Sequence, residues 1–344
     1  MSLQFKDIDD AVLLTQNMLV DRGAFLDLQT DLTDHVAVRE MWQGRQKKFS
    51  GGLDWEFQAQ VDHNHSARAV GLFETDGSSF GDSFITGKTG IRHLNAHYIY
   101  DQREQAFQRG GTAIVDLVRS RYVGMMVSFY ELLEEYLWSK PVDSTDDKTP
   151  FGIPYWITKN ATEGFNGGNP AGFSAGRAGI STSDQPRWAN YTAQYANVSK
   201  EDLIRKMRRA HRVSQFRSPV SHSQPSLGGT SNGIYANDAT IGLLEELVET
   251  QNMDLGNDLA SRDGRVMFKS SPLTYAPKLD DDSTNPVYMI DWKWLAVGVM
   301  DGWENNLSAP APVPGKHLVR RVDLDASLNT VCTNLRRQAV ISKA

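Results

Sequence analysis

The 344-residue chain has a single cysteine, Cys332. One thiol cannot close an internal disulfide, and it excludes a four-cysteine zinc site. A reducing, cytoplasmic folding compartment is the expectation. Charge of one sign is also scarce: 36 basic against 42 acidic side chains leaves −6 at neutral pH. Dedicated nucleic-acid binders carry a basic excess, so only a local basic face stays open to such contact. No uninterrupted apolar run reaches about 18 residues, the length a membrane span needs. The opening MSLQFKDIDD is acidic and lacks the basic-then-apolar layout of a secretory leader, so none is expected. What is plentiful is apolar and turn-forming. Hydrophobic residues make up 40% of the chain and glycines number 28, enough for one or two packed domains with many turns.

Periodicity gives the organisation. Ile8, Val12, Leu13 and Leu19 among acids predict a short amphipathic helix over 6–20. Residues 21–48 are polar and mixed, like an arm with little core of its own. Leu53, Trp55, Phe57, Ala59 and Val61 alternate with polar residues and predict a strand. Leu94, Ala96, Tyr98 and Tyr100 predict a second. The Gly/Ser/Thr-rich stretch 74–90 between them suggests a long hairpin-like arm. A two-stranded ribbon is only marginally stable alone, so it is expected to lie on something else. Ile114, Val118, Tyr122, Met125, Phe129, Leu132, Tyr136 and Leu137 then predict a helix over 113–138, roughly 40 Å long, ending before Pro141. Beyond it, 141–184 reads as loop with a strand signal at 155–158. Ser199 has capping-box spacing for a helix to about His211. Strands are expected at 234–236, 266–269, 273–276, 287–294, 318–324 and 328–331, with a helix from Asp238 to about Glu249. The expected class is α+β with non-consecutive strands pairing.

Several motifs tempt toward chemistry. Gly87-Lys88-Thr89 ends like a phosphate-binding loop, but that loop needs glycine where Asp82 stands. Gly172-Phe173-Ser174-Ala175-Gly176 spells a nucleophile elbow, yet both flanks read as loop, not as strand and helix. His63 and His65, with His93 and His97 on the facing run, suggest a metal-dependent nuclease as a remote alternative; exposed polar histidines are the ordinary case. Asp280-Asp281-Asp282 reads as a solvated turn because calcium loops space their ligands. Arg205, Arg208 and Arg209 lie in a basic stretch on a helix. It suits DNA, or acidic partners such as the Glu245, Glu246, Glu249 helix. Nucleophile, base and orienting group do not occur as a set, so no catalytic residue and no cofactor is expected.

Four passages carry a resemblance. They are Asn232-Gly233-Ile234-Tyr235-Ala236-Asn237-Asp238 leading into a helix, Phe268-Lys269-Ser270-Ser271-Pro272-Leu273-Thr274-Tyr275, Pro286-Val287-Tyr288-Met289-Ile290-Asp291-Trp292, and 329–340 with Asn334, Arg336 and Arg337. Together with the element order, they resemble the major capsid proteins of tailed bacteriophages, the Hong Kong-phage-type shell fold also seen in encapsulins. The resemblance implies an N-terminal arm at 1–50, an extended loop at 51–101, a peripheral domain with a spine helix at 102–149, an axial domain at 150–315, and a return to the peripheral domain at 316–344. It implies a chain that assembles with itself through pentamers and hexamers into an icosahedral virion shell around double-stranded DNA, built in the host cytoplasm. Portal, scaffolding and decoration proteins are the further partners it implies, and no membrane. An encapsulin-like compartment is the alternative. Trp55, Phe57, Tyr98 and Tyr100 are candidate inter-subunit anchors, since aromatics dominate interface energy; packing on the chain's own core is the competing reading. Arg336 and Arg337 are candidates to face DNA or pair with acids.

Overall fold

The computed structural model describes residues 35–60, 69–72, 84–104, 111–214, 232–253, 267–269 and 271–344. The helix expected at 6–20 and the pair His63 and His65 lie outside them. A π-helical turn, Val38–Gln43, leads into β1 (Gln46–Phe49) and β2 (Asp54–Gln60). β3 (Phe84–Gly90) and β4 (Arg92–Asp101) precede the long helix α1 (Gly111–Leu137) and the one-turn helix α2 (Ile153–Trp156). Next come β5 (Tyr191–Tyr195), α3 (Leu203–Ser214), β6 (Asn232–Ala236), α4 (Asp238–Met253), β7 (Met267–Phe268), β8 (Ser271–Tyr275) and β9 (Val287–Asp291). The chain closes with β10 (Leu295–Met300), β11 (Asn306–Leu307), β12 (Ala311–Pro312), β13 (Val319–Cys332) and β14 (Ala339–Lys343).

The first sheet is organised by β13. The sequence suggests two strands at 318–324 and 328–331, but they are one, 14 residues long. Arg321, Asp325 and Leu328 each have partners on both sides, which puts β4 along one edge and β10, β11 and β12 in succession along the other. β1 runs parallel to β10 and extends the sheet. In the first half of β13, buried Val322, Leu324 and Ala326 alternate with Arg321, Asp323 and Asp325. That period of two marks a strand with one wet face. From Leu328 to Cys332 every residue is buried.

Helix α1 covers the apolar face. Tyr122, Met125, Met126, Phe129, Tyr130, Leu133 and Leu137 recur at helical spacing and are buried in one core with Leu94, Tyr98 and Tyr100 of β4. The helix has 27 residues, about 40 Å. Its last turn tightens as Ser139 N–H donates to Tyr136 O at 3.2 Å, just ahead of Pro141.

The second sheet is mixed, in the order β5-β14-β9-β6-β8-β7. Its two faces are both buried. Ala193 and Tyr195 of β5, Ile341 of β14, Val287 of β9, Ile234 and Ala236 of β6 and Leu273 of β8 share a cluster with Leu203, Met207 and Ala210 of α3 and Leu244 of α4. The alternating residues Tyr235, Tyr288, Ile290 and Val340 join the main core instead.

Three differences from the sequence expectations follow from packing. The hairpin is β2 with β3, in register from Asp54 opposite Gly90 to Gln60 opposite Phe84; the glycine-rich 84–90 is itself a strand, and 92–101 belongs to the first sheet. The signal at 155–158 is a helical turn, because Pro154 fits the first turn of a helix. The expected strand 287–294 ends at Asp291, and a three-residue turn sends the chain into β10 of the other sheet. The closing segment divides likewise: β13 lies in the first sheet and β14 in the second.

Candidate assembly surfaces

The hairpin is rooted on its own chain. Trp55 stacks on Phe49 with ring centroids 4.5 Å apart and planes 14° from parallel, and it fills the space over Gly298, where a Cβ would run into the Trp55 ring. Phe57 lies over Gly87 of the partner strand and 6.0 Å from the Trp188 ring. Lys88 N–H donates to Ala178 O at 2.9 Å. Of the four candidate aromatic anchors, Trp55, Tyr98 and Tyr100 are therefore 2%, 6% and 5% exposed within a single chain. Side chains already covered by their own fold have little surface left for a neighbour. Phe57 is half-buried. The large apolar side chains exposed on and between the hairpin strands are Leu53, Val70, Leu72 and Phe84, with Leu72 94% exposed.

The segment before β1 is clamped to α1 by Glu134. This carboxylate accepts from Ala37 N at 3.1 Å, Val38 N at 2.8 Å and Trp138 Nε1 at 2.8 Å. It therefore satisfies the first amides of a helical turn whose own residues supply no cap. Burial pushes its carboxyl above the ordinary value, against the pull of those three donors. Glu134 sits in phase with Tyr130, Leu133 and Leu137, so an acid within an apolar stripe was the sequence signal for it.

The loop region 158–190 is built around Arg177, which is fully buried. Its guanidinium donates to Gly168 O at 2.7 Å, to Asn190 Oδ1 at 2.9 Å, and to Thr158 Oγ1. Burial draws it down to about 10, which leaves it charged at neutral pH. No sequence signal marks an arginine inside a glycine-rich loop as its centre. Asn329 is a second such centre: it gives Nδ2–H to Gly90 O at 2.6 Å and receives Phe151 N–H at 2.8 Å, tying hairpin root, α2 and β13 together.

Arg205, Arg208 and Arg209 are exposed on α3, as is Arg212. Arg209 reaches Glu163 at 3.2 Å. At the far end of the same sheet, Asp238, Glu245 and Glu246 are exposed on α4. Asn237 caps that helix, its Oδ1 accepting Thr240 N–H at 3.2 Å, which places Asp238 in the first turn where a carboxylate suits the helix dipole. Arg336 and Arg337 lie in the short turn between β13 and β14. Arg336 lies 4.1 Å over the Phe165 ring, and Arg337 is only 5% exposed, close enough to Asp291 to feel its charge. Arg337 is turned inward there, while Arg336 stays half-buried.

No family model matches the chain, and no curated protein matches it by sequence. Solved structures do match. The capsid chain of cyanophage A-1(L) is 14% identical and superposes with a TM-score of 0.52, over 90% of this chain and 92% of that one. The capsid of a native GTA particle is 10% identical with a TM-score of 0.52 over 90% of both chains. The capsid of an empty GTA particle is 10% identical with a TM-score of 0.50 over the same shares. This chain has the phage-capsid shell fold.

Within the shell fold the tempting motifs become ordinary structure. Gly87-Lys88-Thr89 lies in strand β3, with Lys88 paired to Glu56 across the hairpin at 2.7 Å. Ser174 is exposed in a turn, with positive φ at Gly172 and Gly176. His93 and His97 lie on the polar face of β4, where His93 Nδ1 is 2.8 Å from Ser327 Oγ. Among the described residues no three His, Cys, Asp or Glu side chains converge as metal ligands, and no helix is long and apolar enough to cross a membrane. The aspartate turn does more than meet solvent. Asp280 accepts Asp238 N–H at 3.0 Å, and Asp282 pairs with Lys159.

Proposed function

We propose that this chain is the repeating subunit of an icosahedral shell that encloses double-stranded DNA, the major capsid protein of a tailed bacteriophage, and that it acts as a structural subunit and not as a catalyst. The observation that carries the reading is the superposition on phage and GTA capsid chains over nine-tenths of both partners. In that reading the first sheet with α1 is the peripheral body, the second sheet with α3 and α4 is the axial body, and β2–β3 is the extended loop. The division at 315 shifts: β10 to β13 belong to the peripheral body and β14 to the axial one.

The mechanism is mechanical. A closed shell needs the same surfaces to serve in fivefold and sixfold rings. A hairpin rooted by Trp55 and Phe57 can carry exposed Leu72 and Val70 beyond the body and bury them on a neighbour. Obligate interfaces of this kind commonly exceed about 2,000 Å². DNA inside is contained and not read, which suits a chain of net charge −6. Portal, scaffolding and decoration proteins are the further partners of such a subunit.

The test is electron microscopy of the purified chain. Hollow particles with fivefold and sixfold rings are expected at micromolar concentration. A chain that stays monomeric at every concentration and salt level would overturn the reading.

A further inference from the structure

The second sheet carries opposite charges at its two ends. α3 packs over β5 and β14, and α4 over β8. The intervening strands β9 and β6 set β14 and β8 apart by three strand spacings, about 14 Å. On α3, Arg205, Arg208 and Arg212 fall at i, i+3 and i+7. That spacing places them on one stripe, and all three are exposed. On α4, Asp238 and Glu245 are likewise seven residues apart and exposed, with Glu246 beside them. Asp280, whose carboxylate receives the Asp238 amide, and Asp281 are exposed at the same end. Lys278 is the basic side chain next to this group.

We infer that the basic stripe of α3 on one copy docks against the acidic end of α4 on the next copy in a ring. The inference rests on the shell reading and names the contact that closes its rings. Two different patches that complement each other make a head-to-tail interface, and repetition of a head-to-tail interface generates a closed ring. A symmetric, patch-on-itself contact would set arginine against arginine and carboxylate against carboxylate, which costs energy. DNA is the other ligand that suits an arginine stripe. It leaves the acidic end without a role, and the chain's net negative charge opposes it. A second copy accounts for both patches at once.

The experiment uses the full chain in three forms beside the wild type. The first carries Arg205→Glu, Arg208→Glu and Arg212→Glu; the second carries Asp238→Lys, Glu245→Lys and Glu246→Lys; the third combines all six. Particle yield and critical concentration are read by light scattering and microscopy, with circular dichroism to check folding. Each single set is expected to raise the critical concentration about 10-fold or more, as like charges now face each other. The combined form is expected to return to within about threefold of the wild type, because attraction is restored with its sign exchanged. Wild-type critical concentration should also rise between 50 mM and 500 mM salt, since exposed pairs are screened (order-of-magnitude salt levels). A folded six-fold variant no better than either parent set overturns the inference while leaving the shell reading intact. So does an α3 variant that assembles normally but loses its bound nucleic acid, which assigns the stripe to DNA. Absence of wild-type particles defeats the shell reading itself.

Discussion

Replacing Trp55 by alanine tests whether its ring serves the chain's own fold or is held for a neighbour. In the structure Trp55 is 2% exposed, stacked on Phe49 of β1 and filling the groove over Gly298 of β10. Its ring thus joins the hairpin root to the first sheet before any neighbour arrives. Deleting a buried tryptophan side chain costs about 3–5 kcal/mol, combining lost transfer energy with the cavity left behind. With a urea m value of about 3 kcal/mol/M for a chain of this size, the unfolding midpoint of the unassembled chain should fall by about 1–1.7 M. Trp55→Phe should cost much less. It keeps the stacking on Phe49 and removes an indole N–H that is buried without a hydrogen-bond partner, a group that is costly to bury. The assay is urea unfolding followed by circular dichroism, on dilute, unassembled chain. If Trp55→Ala unfolds at the wild-type midpoint and only assembly suffers, Trp55 is an anchor reserved for a neighbour and the packing argument is wrong.

Glu134→Ala should orphan three N–H groups and cost about 2–4 kcal/mol, read as faster hydrogen exchange at the Ala37 and Val38 amides. Because burial raises the Glu134 carboxyl above 4.5, the folded chain holds a proton there that the unfolded chain releases. Its contribution is full below 4.5 and declines as pH rises through the raised value; Glu134→Gln should abolish that dependence in pH-resolved unfolding, and an unchanged profile would refute the assignment. Arg177→Met removes the charged donor from Gly168 O and Asn190 Oδ1, leaving each with only a Thr158 donor, and should lower the melting temperature by about 5–10 °C. Arg177→Lys should not rescue it, since one ammonium cannot span the same acceptors; a shift under about 1 °C in calorimetry would count against the network. Burial pushes the Cys332 thiol up to about 12, so a thiol reagent should leave the native chain unlabelled until denaturant is added. Rapid native labelling would show that β13 opens.

Legibility tracked the range of the interactions. The long helix was readable because its apolar stripe repeats locally, and the strand at 54–60 because alternation is local too. Partner choice was not readable. Two alternating runs, 54–60 and 94–100, look like a hairpin on paper. The glycine at position 87 conceals a strand between them, since its missing Cβ is what admits the Phe57 ring. Tyr98 and Tyr100 could be read as inter-subunit anchors or as core, because a strand pattern says which residues share a face and not which face is covered. Here α1 covers it. For Arg337 the sequence left DNA and acids both open as partners, because nothing in 335–338 announces a turn that buries its own arginine. The resemblance was carried by four short passages in the second half and by element order in the first, and element order is what survives at 14% identity.

The two sheets are not tethered like beads. Besides the long passage from β4 through α1 to β5, the chain crosses between them by short turns at Trp292–Trp294 and again at 333–338, and these two turns are bonded to each other. Thr333 N–H donates to Trp294 O at 3.0 Å. The Gln338 side chain exchanges two hydrogen bonds with the Asp291 backbone, each 3.0 Å. Around them Trp138, at the end of α1, meets Tyr235 and Tyr288 of the second sheet at 5.9 and 5.8 Å, and Trp292 Nε1–H donates to Tyr235 OH at 2.8 Å. A junction crossed by two short turns as well as by the α1 passage, stapled by paired hydrogen bonds and filled with aromatic rings, has no free hinge. In the proposed shell, a subunit that serves in both fivefold and sixfold rings would therefore not adapt by bending between its sheets. The difference has to be absorbed where this junction does not reach, by the reach of the β2–β3 hairpin and by the screened, water-facing charges of α3 and α4, whose contacts tolerate a change of angle that a packed aromatic core does not.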